Sequence, residues 1–253
     1  MIKLLQGDCL ELMKKIPDKS IDMILCDLPY GTTKCKWDII IPFELLWKQY
    51  NRIIKDNGAI VLFGSEPFSS KLRISNLNMY RYDWVWNKRK AGNFAQGNIQ
   101  PLKIHENIMV FYKKLPTYNP QKTILSKICK RNKYKKSTNR KDRKDSGGLG
   151  GEIKYSDKYE PDKKLPTSIL EMKKDNYKGN VFHPTQKPVA LLEYLIKTYT
   201  NEGDVVLDNC MGSGSTGIAC LNTKRNFVGM ELDENYFNIA KERIEHRLEE
   251  LLW

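Results

Sequence analysis

The chain has 253 residues, is 40% hydrophobic and carries a net charge of +13. That length suits one α/β domain with an insertion. No apolar run approaches membrane-spanning length, and residues 1–8 are too short and polar for a signal peptide. Six cysteines without a Cys-x-x-Cys pair, beside only His105, His183 and His246, offer no zinc framework. No metal site is expected, and scattered thiols fit a reducing cytoplasm.

In chain order, short apolar runs recur, each closed by a polar residue or glycine. Residues 3–5 lead to Gly7 and Asp8, residues 21–25 to Asp27, and residues 59–63 to Gly64 and Ser65. Runs at 84–86 and 108–112 follow; residues 205–207 then lead to Asp208, and residues 227–230 to Glu231. These read as strands. Helical spacing covers residues 43–54, with Leu45, Leu46, Tyr50, Ile53 and Ile54 on one broad face. Residues 189–199 form another helix behind Pro188, which suits a first turn. The last helix begins near Asp233, a good N-cap, with Phe237, Ala240, Ile244, Leu248 and Leu251 as its core stripe. Tyr82, Trp84 and Trp86 read as core. Alternating strands and helices imply a doubly wound, mostly parallel sheet. Ligands bind at the carboxyl ends of such strands, where Asp8, Asp27, Ser65, Asp208 and Glu231 are expected.

Charge is uneven. Residues 113–164 hold 17 Lys/Arg against six Asp/Glu, a net of +11, which leaves +2 elsewhere. Lys122, Lys127, Lys130, Arg131, Lys133, Lys135, Lys136, Arg140, Lys141, Arg143 and Lys144 face one acid, Asp142, and a glycine hinge follows at 147–151. A basic block of this kind points to a polyanion. The catalytic domain is therefore expected at 1–112 and 181–253, with an inserted region at 113–180.

Two stretches carry chemistry. Residues 205–221 read as strand, Gly-rich turn and helix, with Gly212, Gly214 and Gly217 in Gly-x-Gly-x-x-Gly spacing and Glu231 ending the next strand. Nicotinamide, flavin and S-adenosylmethionine sites share this design. Asp208 would repel a pyrophosphate and attract a sulfonium or amino group, which favours S-adenosylmethionine. The second stretch is Asp27-Leu28-Pro29-Tyr30. An exocyclic base nitrogen is a poor nucleophile because its lone pair is delocalised into the ring. A carboxylate (Asp27) and a backbone carbonyl (Leu28) accepting its two N–H bonds favour attacking geometry. Pro29 sets the turn, and Tyr30 offers a flat face to an extruded base.

Together these stretches resemble the amino-methylating DNA methyltransferases of prokaryotes and phages, in the permuted beta class whose catalytic motif precedes its cofactor motif. DLPY at 27–30 resembles that family's Asp-Pro-Pro-Tyr, and LDNCMGSGST at 207–216 its cofactor loop. HPTQKP at 183–188, GDCLELM at 7–13 and Glu231 in GMELD complete the match. The resemblance implies a mixed, Rossmann-like sheet of the S-adenosylmethionine-dependent type. It also implies adenine N6 in double-stranded DNA as acceptor, since Asp rather than Ser stands at 27, with cytosine N4 as the alternative. For the cofactor it implies Asp8, Cys9, His183, Thr185, Lys187, Asp208, Cys210, Gly212, Gly214, Thr216 and Glu231, with Lys187 on the cofactor carboxylate. Leu28 replaces a Pro, Asn209 a Pro and Cys210 a Phe of the family's pattern. The basic insert takes the place of a target-recognition region, residues 32–37 that of a lid, and His105-Glu106 a structural or substrate-facing position. A homodimer, a cognate restriction endonuclease and a DNA-binding homologue without catalysis stay open.

Overall fold

A computed structural model of the chain describes residues 1–32, 38–124, 163–173 and 186–251. Two compact units appear, one comprising Met1–Asn119 and Thr167–Trp253, the other Pro120–Pro166. In the first unit the elements run β1 (Ile2–Gln6), α1 (Cys9–Met13), β2 (Ile21–Cys26), α2 (Phe43–Ile53), β3 (Ile54–Gly64), α3 (Phe68–Ser75), β4 (Tyr80–Asn87) and β5 (His105–Phe111). The smaller unit contributes β6 (Thr123–Ile124) and β7 (Lys163–Lys164), an antiparallel pair. The first unit resumes with β8 (Ile169–Glu171), α4 (Val189–Tyr199), β9 (Val205–Asp208), α5 (Ser215–Asn222), β10 (Asn226–Glu231) and α6 (Glu234–Glu250).

Among the described residues the main sheet has eight strands in the order β1-β10-β9-β2-β3-β5-β4-β8. The pairs from β1 to β3 are parallel, while β5 runs antiparallel between β3 and β4. Central strands are apolar at successive positions because both faces are covered. In β2, Ile24 and Cys26 pack with residues of α1, α2 and α3, while Met23 and Leu25 pack with residues of α4, α5 and α6. Each fully buried Leu or Ile of this kind contributes about 1.5–3 kcal/mol. The core aromatics also satisfy their polar atoms. Trp84 Nε1 donates to the Tyr199 hydroxyl (2.7 Å), which also pairs with the Tyr82 hydroxyl (2.9 Å), and Trp86 Nε1 donates to Met172 O (2.8 Å).

Asp233 caps α6 as expected, accepting from Tyr236 N at 3.0 Å. The C-terminal stripe is shorter than its spacing suggested. Ala240 and Ile244 are buried, but Leu248 and Leu251 are 41% and 49% exposed. Leu45 is likewise turned outward, and Ile54 opens β3 rather than closing α2.

The chain direction reverses at the middle of the sheet. From β2 the chain moves through α2 to β3; from β9, its neighbour on the other side, it moves through α5 to β10. The connections after β2 and β9 diverge to opposite sides and leave a crevice at the carboxyl ends of both strands, the usual ligand position in such sheets.

Candidate active site

The register Ile24↔Leu207 brings the ends of β2 and β9 side by side. Asp27-Leu28-Pro29-Tyr30 and the turn from Asp208 to Ser213 therefore line one cavity of about 470 Å³. Asp8, Cys9, Glu106, Lys187, Thr216 and Glu231 also face it. The motifs from opposite ends of the chain meet because adjacent parallel strands carry them.

The glycine turn is built by conformation and close approach. Gly214 has φ +79°, and a Cβ there would lie 2.9 Å from Ala240 Cβ. Gly217 lets α5 lie against α6 and β10; its Cβ would come within 2.4 Å of Ile244 Cδ1 and 2.9 Å of Phe227. Carboxylates hold the turn at both ends. Asp208 accepts from Thr216 Oγ1 (2.6 Å) and Cys210 N (3.1 Å), and Glu231 from Gly212 N (2.8 Å) and Asp233 N (2.9 Å). Both carboxylates thus shape the pocket wall as well as facing it. Burial pushes Glu231 above the usual carboxylate range. Asp8 caps α1, accepting from Leu10 N at 2.8 Å and Glu11 N at 3.3 Å. The neighbouring Cys210 side chain lowers the Cys9 pKa against the opposing effect of burial.

At the tetrad, Tyr30 donates its hydroxyl to Asp27 Oδ1 at 2.6 Å. Its ring stacks on Phe68 with centroids 4.9 Å apart and planes 25° apart, so one face is already covered. The Leu28 side chain is buried in the core beneath. Lys187, expected at the cofactor carboxylate, is held by carboxylates of the protein itself. Its buried ammonium bonds Asp27 Oδ2 and lies 3.4 Å from Glu106 Oε2, while Lys88 bonds Glu106 Oε1 at 3.0 Å. Burial alone would lower the Lys187 pKa; Asp27 and Glu106 outweigh it and raise the value.

Sequence reading missed several contributors. Asp38 accepts from Gly31 N (2.8 Å) and Thr32 N (2.9 Å), ordering the chain just beyond the tetrad. Tyr50 bonds Asn209 Oδ1 at 2.5 Å, and Ser213 donates to Gln186 Oε1 at 3.2 Å. None of these pairings has a local signal. Glu106 was visible only as an acid at a strand start. His183, Thr185, residues 33–37 and the basic positions from Lys127 to Lys144 lie outside the described residues; Lys122 immediately precedes β6.

The cavity's chemistry defines what it can hold. Asp8, Asp27, Asp38, Glu106, Asp208 and Glu231 line it with Lys187 as the cationic side chain among them. Such a site rejects polyphosphates and suits a ligand bearing hydroxyls and positive charge. Ser215 Oγ, buried at the turn, has no hydrogen-bond partner among the described residues and fits the same kind of ligand.

Burial raises the Asp208 pKa to about 6, against the hydrogen bonds from Thr216 and Cys210. The folded chain therefore holds a proton on Asp208 at pH values where the unfolded chain has released it. The resulting stabilisation is complete below about pH 4 and lost as pH rises through about 6, a change of about 3 kcal/mol. Urea unfolding of the unliganded protein should show the stability difference between wild type and Asp208→Asn drifting against wild type over this window. A difference independent of pH would contradict the assignment.

A family profile described as DNA methylase matches residues 21–242. The chain is 28% identical over 259 residues to the type II methyltransferase M.HpaI of Haemophilus parainfluenzae, covering 96% of this chain and 74% of that one. It is 27% identical over 261 residues to the DNA adenine methyltransferase YhdJ of Escherichia coli K12, covering 96% and 82%. The crystal structure of an M1.HpyAVI–SAM complex superimposes with a TM-score of 0.64 at 25% identity, over 96% of this chain and 99% of that chain. The cytosine-N4-specific PvuII DNA methyltransferase, at 16% identity and a TM-score of 0.66 over 97% and 90%, shares the fold.

Proposed function

The chain belongs to the DNA methylase family acting on adenine N6 or cytosine N4, and from that premise we propose that it methylates N6 of adenine in double-stranded DNA, using S-adenosylmethionine. The observation that carries this reading is the shared cavity of Asp27–Tyr30 and the Asp208–Gly212 turn. The choice of adenine is supported by Asp at position 27 and by the likeness to an adenine methyltransferase. Likeness to type II methyltransferases supports a place in restriction–modification, beside an endonuclease reading the same site.

When bound, S-adenosylmethionine supplies an electrophilic methyl group on a positively charged sulfur. The carboxylate-rich cavity and the Ser215 hydroxyl, buried and without a partner among the described residues, fit that cation. Asp8 and Glu231 would hold the nucleoside end, and the turn beginning at Asp208 the amino-acid end. Asp27 and the Leu28 carbonyl accept the two N–H bonds of the target amine and aim its lone pair into the cavity. Tyr30, which lines the cavity, receives the extruded base while Phe68 braces one face of its ring. Positioning of this kind supplies much of a methyl transfer's acceleration.

DNA from cells expressing the chain, digested to nucleosides and analysed by mass spectrometry, should contain N6-methyladenine absent from a vector control. N4-methylcytosine alone would overturn the adenine assignment, and neither product would overturn transfer to DNA. The basic residues from Lys122 to Lys144 are proposed as phosphate contacts. Six or more such contacts would weaken DNA binding by about 10³-fold or more between 50 and 200 mM salt. A DNA affinity insensitive to salt in a fluorescence-anisotropy titration would remove that role.

A further inference from the structure

The connection from β4 to β5, residues 88–104, reaches the site above through Lys88, and the rest of it is a built structure of its own. Asn87 pairs with His105, so the loop leaves and returns at one point. Lys88 N donates to Ile104 O (2.7 Å), and Asn93 ties the two limbs by accepting from Lys103 N (2.7 Å) and donating to Pro101 O (3.3 Å). A helical turn at the tip is closed by Gln96 N to Asn93 O and Ile99 N to Gln96 O, both 3.0 Å. On this ordered frame Phe94 is 63% and Ile99 83% exposed, and Leu102 and Ile104 are also turned outward. Residues 88–104 include Lys88, Arg89, Lys90 and Lys103 and no acid; Lys88 pairs with Glu106 and Arg89 with Glu171 of β8, which leaves Lys90 and Lys103 as the cations without an ion pair among the described residues.

The loop also stands beside the reaction. Gly64 pairs with Asn107, which puts the loop at the end of the sheet where β2 delivers Asp27. Lys103 bonds the Ser65 hydroxyl, and Lys88 bonds Glu106, the acid beside Lys187. Large apolar side chains held outward in a positively charged setting match one surface well: a nucleic-acid duplex, with an apolar base stack inside and anionic phosphates outside. A two-fold contact between copies of this chain through the same patch would bring like charges together.

We propose that residues 88–104 form a DNA-opening wedge, in which Ile99 and Phe94 enter the base stack beside the target nucleotide while Lys90 faces a flanking phosphate. The inference rests on the DNA function above and adds the element that keeps the target base out of the helix. Extrusion breaks stacking on both sides of the base, and an inserted apolar side chain replaces part of what is lost.

The probe is a duplex carrying the motif found methylated in DNA of expressing cells, with 2-aminopurine in place of the methylated base. Wild type should raise its fluorescence severalfold on binding. F94A/I99A should reduce that rise at least about fivefold while keeping wild-type thermal stability and cofactor affinity. Its methylation rate on the normal duplex should fall at least about tenfold and recover on a duplex with an abasic site opposite the target, where extrusion is already easy. Undiminished fluorescence, an equal loss of rate on both duplexes, or loss of a wild-type dimer in light scattering would each overturn the wedge. If wild type methylates no DNA at all, the function and the wedge fall together; if it methylates normally and the variant does too, the wedge falls alone.

Discussion

Asp27→Ala is expected to reduce methyl transfer roughly 10²–10⁴-fold or more while S-adenosylmethionine binding changes only a few-fold. The carboxylate is the group at the end of β2 that can take a proton-bearing amine, and Tyr30 already orients one of its oxygens. Alanine removes that acceptor. It leaves the glycine turn untouched, because Asp208 and Glu231 hold the turn independently. Lys187 retains Glu106 as a counter-ion, so the fold should survive. Transfer of a labelled methyl group to DNA measures the loss, and calorimetry of cofactor binding measures the retention. Near-normal transfer by the alanine variant would remove Asp27 from the chemistry.

Lys187→Met should do more damage to stability than any other single change at the site. It would leave two carboxylates, Asp27 and Glu106, facing a buried space with Lys88 as the neighbouring cation. Removing one member of a buried ion pair costs about 3–5 kcal/mol. The change would also remove the ammonium that fixes Asp27 Oδ2, leaving the carboxylate held by the Tyr30 hydroxyl alone among the described residues. Transfer should fall, with the loss in kcat rather than in KM. Lys187→Arg, which keeps the charge, should restore much of both stability and rate. Denaturant unfolding and steady-state transfer kinetics test the two effects separately. A methionine variant with wild-type stability and an unchanged kcat would show that Lys187 does not position Asp27.

Much of the framework was legible locally. Residues 21–25, 59–63 and 205–207 are apolar at successive positions because strands covered on both faces need it, and all three are central strands. Asp233 and Pro188 marked helix starts that the structure keeps. The short helices α1 and α3 escaped notice; each has only five or eight residues, too few for periodicity to stand out. The exposed Leu248 and Leu251 show the reverse error, since a helical stripe can outrun the surface it packs on.

The residues alone determined the chemical kit: a carboxylate, a carbonyl, a proline turn and an aromatic ring in one tetrad, and glycines at spacing that only a tight strand-to-helix turn requires. Such features follow from covalent geometry and side-chain type over a few neighbouring positions. Tertiary structure decided which groups touch. It set Lys187 between Asp27 and Glu106, covered one face of Tyr30 with Phe68, and turned the carboxylates of Asp208 and Glu231 into braces for the glycine turn. Those pairings depend on strand order and on which loops diverge at the switch between β2 and β9, and ion pairs and ring contacts between distant segments leave no periodic trace along a chain.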